Sequence, residues 1–223
     1  MISQNFLHAV RDYQYLVDQG YLPRNILDLV GNRHELKAVE RSMLYRGIFS
    51  EISCQKRSGK MVKSNELSKN DNLIVDGLNV IITIASYLQG LPVFIATDGL
   101  VRDASNVRAK IQTLNKLTEA TRLLKKYLPV LNIQNIEIYL DSQVESSMEI
   151  SIILKEIDFT EGANVFIKLQ KDVDRSLIES SNGIVCTSDT GIIDKTDNRI
   201  FDLASAIIYH YYNPQILDLG QLG

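Results

Sequence analysis

LIVDGLNV, residues 73–80, is the stretch on which the fold turns. Three branched apolar side chains run into an aspartate, a glycine and an asparagine. A β-branched run of this kind reads as a buried strand. A carboxylate inside such a run is costly unless something nearby needs it. The residues that follow, VIITIASYLQG, read as a helix. The unit is therefore strand, turn, helix, with Asp76 at the turn.

Working outward, the same alternation continues to the end of the chain. PVFIATD, IEIYLD, NVFIKL and GIVCTSD read as strands. SNVRAKIQTLNKLTEATRLLKKYL, SQVESSMEISIILKEI, DVDRSLIESS and RIFDLASAIIYHYY read as helices, the first capped at Ser105. Near-continuous apolar strands alternating with helices predict an α/β fold, a parallel sheet covered on both faces. Upstream, QNFLHAVRDYQYLVDQG places Phe6, Val10, Tyr13 and Val17 on one helical face. Pro23 opens a second helix ending near Gly31, and Asn32 with Glu35 marks the start of a third. KRSGKMVKSNELSKND, residues 56–71, is poor in apolar residues and reads as a basic exposed linker. The expected organisation is a small all-helical domain with its linker over 1–65, an α/β domain over 71–212, and a tail over 213–223.

Of 223 residues, 45% are hydrophobic and 23% charged, an ordinary globular balance. No apolar run reaches the ~18 residues of a membrane span, and the start of the chain is charged too early for a secretory signal. Cys54 and Cys186 stand alone, so a reducing cytoplasm is the expected setting. The three scattered histidines have no zinc-ligand spacing. Residues 1–70 carry 11 Lys and Arg against 7 Asp and Glu, whereas residues 71–223 carry 13 against 20. A basic front and an acidic body suit a part that meets polyanion and a part that holds cations.

The acidic body is patterned. Apolar runs end at Asp76, Asp98, Asp141 and Asp189, and a fifth is followed by Asp172 and Asp174. In an open parallel sheet, ligands collect outside the carboxyl ends of the strands. Each aspartate alone is an ordinary helix cap, and Asp71, Asp197 and Asp202 fit that role. Recurrence at strand ends points instead to a shared rim, where clustered carboxylates need a counter-charge. All-oxygen donors without nearby Cys or His favour Mg²⁺ or Mn²⁺. Such a rim serves phosphoryl transfer or phosphodiester hydrolysis. No GxxxxGK[ST], GxGxxG or GxSxG segment is present, which argues against P-loop, dinucleotide and hydrolase-fold chemistry.

LIVDGLNVI, KDVDRSLIES and IVCTSDTGII together resemble the acidic motifs of PIN-like (NYN-type) nuclease domains, in matching order across residues 71–212. The whole chain resembles an uncharacterised prokaryotic family that joins a helical front domain to such a domain. The resemblance implies a parallel-sheet α/β/α sandwich and a metal-dependent nuclease acting on RNA. It implies Asp76, Asp174 and Asp189 as metal ligands, with Asn79 orienting the first loop. Asp141 is the next candidate, and Asp172 rivals Asp174. The glutamate such domains carry in the helix after the first strand is missing from NVIITIASYLQG. Asp98 or Asp103, in ATDGLVRDAS, is the expected substitute.

For the substrate, Arg102 and Arg108 lie where a cation and a helix start can meet phosphate. Arg33, Lys37 and Arg41 recur at a spacing of four and form a cationic stripe on the front domain, read either as an exposed face or as a grip on RNA phosphates. The alternative to a nuclease is a non-catalytic nucleic-acid-binding or regulatory module with a degenerate acidic rim. A homo-oligomer is compatible with the sequence.

Overall fold

The computed structural model describes residues 3–104, 114–155 and 163–222. Helices α1 (Gln4–Asp18), α2 (Pro23–Arg33), α3 (Ala38–Gly47) and α4 (Glu51–Ser58) come first. Then follow β1 (Asn72–Asp76), α5 (Gly77–Leu88), β2 (Val93–Ile95), β3 (Val101–Asp103), α6 (Leu114–Tyr127), β4 (Asn135–Asp141), α7 (Ser147–Lys155) and β5 (Asn164–Gln170). The chain continues through α8 (Val173–Glu179), β6 (Ile184–Cys186), α9 (Thr190–Ile193), β7 (Arg199–Ile200), α10 (Leu203–Tyr212) and β8 (Leu217–Asp218). These elements form two compact units. One takes the described residues of Met1–Gly59, Gly90–Lys110 and Gln215–Gly223, the other those of Lys60–Gln89 and Ile111–Pro214.

The second unit is an α/β/α sandwich. Its five strands run parallel in the order β5-β4-β1-β6-β7. Helices α5, α6, α7 and α10 pack on one another in one layer, and α8 packs on α9 in the other. Side chains alternate between the faces of a strand, and residues in register share a face. Leu73, Val75, Ile136, Ile138, Leu140, Ile184 and Cys186 are therefore on one face, all of them buried. α5 begins at that face and comes so close to β4 that a Cβ on Gly77 would lie 2.7 Å from Leu140 Cδ2 and 2.9 Å from the Tyr139 carbonyl oxygen. Glycine is the residue this turn accepts.

The first unit pools chain segments far apart in sequence. β2 pairs antiparallel with β3 and parallel with β8, in the order β3-β2-β8. Phe94, Ala96, Ala104 and Leu219 share one buried cluster with Phe6, Val10, Tyr13, Val17, Leu44 and Ile48 from the helices. A Cβ on Gly47 would lie 2.5 Å from Leu219 Cδ1 and 2.6 Å from Phe94 Cε2.

Four expectations change at the level of elements. PVFIATD is a strand, but it joins this small mixed sheet and not the parallel one. Residues 213–223 hold a strand and a buried leucine where a tail was expected. The linker is seated rather than free. Lys60 Nζ donates to the carbonyls of Ile193 (2.8 Å) and Thr196 (2.6 Å), and Met61 bridges in parallel to Ile200 beside β7. The start signal at Asn32 and Glu35 is also unused. Glu35 has φ 52°, and α3 begins at Ala38, where Glu40 accepts the Lys37 backbone N–H at 2.9 Å. The α6 cap expected at Ser105 lies outside the described residues.

Candidate functional site

The strand order determines where a ligand would sit. From β1 the chain moves outward to β4 and β5, then returns across β1 to β6 and β7. The order reverses between β1 and β6, and the crevice outside the carboxyl ends of those two strands is the usual binding place in such sheets. β1 ends there at Asp76, and β6 runs out there into Thr187, Ser188 and Asp189.

Side chains tie the two strand ends together. One carboxylate oxygen of Asp76 accepts the Thr187 hydroxyl at 2.9 Å; the other accepts the Asn79 backbone N–H at 3.4 Å. Asn79 Oδ1 in turn accepts the Ser188 backbone N–H at 2.9 Å and the Ser188 hydroxyl at 3.1 Å. The Thr187 hydroxyl also receives the Asp189 N–H at 3.1 Å. Asp76 caps α5 as any aspartate might, but a cap does not need the bond to Thr187 across the crevice. Asp189 caps α9, accepting Gly191 N–H at 2.6 Å, and is exposed. Asp174, in the first turn of α8, is exposed as well.

Asp76 is only 8% exposed. Burial pushes its carboxyl up to about 7; the bonds from Thr187 and Asn79 oppose the rise, and the charges of Asp189 and Asp174 add to it. The charges of Asp174 and Asp189 therefore reach Asp76. Among the described residues no group of three or more His, Cys, Asp or Glu stands in ligating geometry. Donor type and charge fit a hard cation; the spacing does not form a ready-made cage. Mg²⁺ commonly binds in that manner, keeping several waters and using one or two carboxylates plus substrate phosphate.

The remaining sequence candidates divide. Asp141 ends β4 two residues beyond Tyr139, the register partner of Asp76, and its carboxylate accepts Gln143 N–H at 2.9 Å. Asp172 is exposed, with φ 56° and no side-chain cap bond. Asp202 caps α10 through Ser205 N–H (2.9 Å), as its sequence reading had it.

Asp98 belongs to the other unit and is committed elsewhere. Its carboxylate takes Arg102 Nη1 at 2.6 Å, Arg102 Nη2 at 2.8 Å and Arg57 Nη1 at 3.0 Å. Burial raises its carboxyl, but the two guanidiniums outweigh burial and hold it below the usual carboxylate range. Both guanidiniums also lie over the Phe49 ring, at 4.3 Å and 4.9 Å. Asp98 as a metal ligand and Arg102 as a phosphate contact are thus replaced by a buried ion cluster. Asp103 is buried in β3 beside Arg46, at 3.5 Å, and belongs to the same unit. The Asp98 carboxylate, taken up by these two arginines, is not available to replace the missing helix glutamate. Arg108 lies outside the described residues.

The cationic stripe is divided by an element boundary. Arg33 ends α2 beside Asp12, at 3.5 Å. Arg41 folds back on α2, donating to the Leu36 carbonyl at 3.1 Å and to Asn32 Oδ1 at 2.8 Å.

Sequence reasoning passed over Thr187 and Ser188, although both lie in the quoted run GIVCTSD. It also passed over the row beside Asp76. Tyr139 on β4 and Lys168 on β5 are in register with it, and Lys168 Nζ donates to Glu137 and to the Tyr139 hydroxyl, each at 2.9 Å. The only signal for that row was alternation within NIEIYLD and NVFIKLQ.

Comparison with known proteins bears on lineage. The family model described as Domain of unknown function (DUF5616) matches residues 65–206, more than half of the chain. The chain belongs to that family. Residues 5–60 match Protein of unknown function (DUF434). An uncharacterized protein of Methanocaldococcus jannaschii is 32% identical over 211 residues, covering 90% of this chain and 96% of that one. No solved structure matches. The DUF5616 match contains every residue of the Asp76 crevice.

Proposed function

We propose that the chain is a divalent-cation-dependent nuclease that hydrolyses RNA phosphodiester bonds, with Mg²⁺ or Mn²⁺ held at the β1–β6 crevice. The observation that supports this reading is the buried Asp76 carboxylate at the reversal of strand order, braced by Asn79 and Thr187 and within the field of Asp174 and Asp189. The segments that resemble the acidic motifs of PIN-like domains imply the same three aspartates and supply the choice of RNA. A cation there would neutralise carboxylates that otherwise repel, polarise a phosphate and activate water. Asp76, buried and bonded twice, is the fixed ligand. Asp174 and Asp189 are exposed on the starts of two short helices, where ion and phosphate can reach them. Asp141 stands one strand over as a further acceptor. RNA is the expected partner and the cytoplasm the expected setting.

The test is cleavage of single-stranded and structured RNA by pure protein with Mn²⁺, with Mg²⁺ and with chelator. The reading expects ion-dependent products and a loss of at least 100-fold on Asp76→Asn. Equal inertness of wild type and variant under every ion would remove the catalytic claim. That no carboxylate group in ligating geometry stands among the described residues favours one second reading, a non-catalytic RNA-binding module. That reading expects salt-sensitive RNA binding unchanged by Asp76→Asn.

A further inference from the structure

Among the described residues, β5 closes one side of the five-stranded sheet. It is seven residues long, NVFIKLQ, without proline and with Lys168 as its one charge. Soluble proteins usually blunt an edge strand with proline, bulges, charge or shortness, because its free N–H and C=O groups pair with any other strand. The one such device here, Lys168, is drawn inward onto Glu137 and Tyr139. The flanks are apolar. In the described part of this unit the exposed large apolar side chains are Val130, Met148, Ile152, Phe166 and Tyr212. Three of the five flank this edge. Phe166 (55% exposed) is on β5, while Met148 (61%) and Ile152 (53%) sit one turn apart on α7, which packs against β5.

We propose that two copies of the chain join along this edge, β5 pairing antiparallel with β5 of the second copy. The inference is independent of the nuclease reading. A two-fold axis lets one surface satisfy itself, and a strand edge is satisfied by a strand. Placing the axis at Ile167 pairs all seven residues. Phe166 of each copy then stands opposite Lys168 of the other, and Asn164 opposite Gln170. The strand's one charge meets an aromatic ring and never itself, a favourable cross-strand pair. Charge thus selects this register; an axis at Lys168 would oppose like charges.

The size of the face sets the strength. Seven strand residues span about 23 Å, and a sheet with one helix layer is roughly 20 Å deep. The face is on the order of 450 Å² per copy, below the ~800 Å² of a standard stable interface. The dimer is therefore concentration-dependent.

The test is light scattering or sedimentation of the full chain from about 5 μM to about 500 μM. The weight-average mass should rise from that of one chain, 25.2 kDa, toward twice that value. Phe166→Lys combined with Ile152→Lys should keep the circular dichroism spectrum and weaken association at least tenfold; should that pair fail to fold, Met148→Lys repeats the test on the helix alone. In a Cys54→Ser background, Phe166→Cys mixed with Lys168→Cys should cross-link faster than either alone, since antiparallel partners about 4.5–5.5 Å apart lie within disulfide reach. A single-chain mass at every concentration overturns the proposal. So does a dimer indifferent to the lysines, or cross-linking no faster in the mixture.

Discussion

At Asp76 two demands conflict. The carboxyl ends β1 and is buried, and burial beside Asp189 and Asp174 favours its neutral form. Its free value is 3.8 and its folded value about 7, so between those limits the folded protein holds a proton that the unfolded chain has released. Stability from this group is therefore full near pH 4, falls as pH rises toward 7, and is flat above. At about 1.4 kcal/mol per unit the loss is on the order of 4 kcal/mol. Asp76→Asn removes the ionisation and one hydrogen bond worth about 1 kcal/mol. Thermal melts with chelator should show the variant several degrees above wild type at pH 8, the two converging near pH 4. A difference independent of pH would refute the ionisation account. Asp98 is the opposite case, a carboxylate on which two buried guanidiniums depend. Asp98→Ala leaves Arg57 and Arg102 without it at a cost of about 3–5 kcal/mol, a fall in melting temperature of roughly 10 °C. Sequence could not separate these two aspartates. Both end apolar runs, and what distinguishes them is an arginine 41 residues upstream of Asp98, in a stretch that looked like solvated linker.

Local signals carried most of the elements. β-branched runs marked β1, β4, β5 and β6, helical periodicity marked α1, and Pro23 opened α2. Partners were less legible. A three-residue strand such as β2 reads alike whether it lies in a parallel or a mixed sheet, because pairing depends on residues far along the chain. β8 is shorter still, and the loop before it gives no period. The β1–α5 turn was legible because glycine is required there. Gly77→Ala places a Cβ against Leu140, Ile138 and the Tyr139 carbonyl. It should cost about 1–3 kcal/mol. It should also loosen the Asn79–Ser188 link, seen as faster amide exchange at Ser188. Unaltered stability would show that the close approach of α5 to β4 is not required.

For the whole molecule, the division by family resemblance and the division by packing differ. Matches fall at 5–60 and 65–206, whereas one compact unit gathers Met1–Gly59 with segments inside and beyond the second match. A fragment of residues 1–65 lacks Phe94, Ala96, Ala104 and Leu219 and so lacks one side of its core. It should give a broad, weakly cooperative melt, and deleting residues 213–223 from the full chain should lower stability through loss of β8 and Leu219. A sharp transition in the short fragment would mean that the helices suffice alone. Within the sandwich, strand order brings residues more than 100 apart into hydrogen-bond contact, as Asp76 with Thr187 shows. The central claim is that this crevice holds a divalent ion. Its most direct test is a Mn²⁺ titration of the full chain at pH 8, followed by the paramagnetic signal of free ion. Saturable binding lost on Asp76→Asn and weakened on Asp189→Asn is the predicted result; binding that is absent, or unchanged by both substitutions, would contradict it.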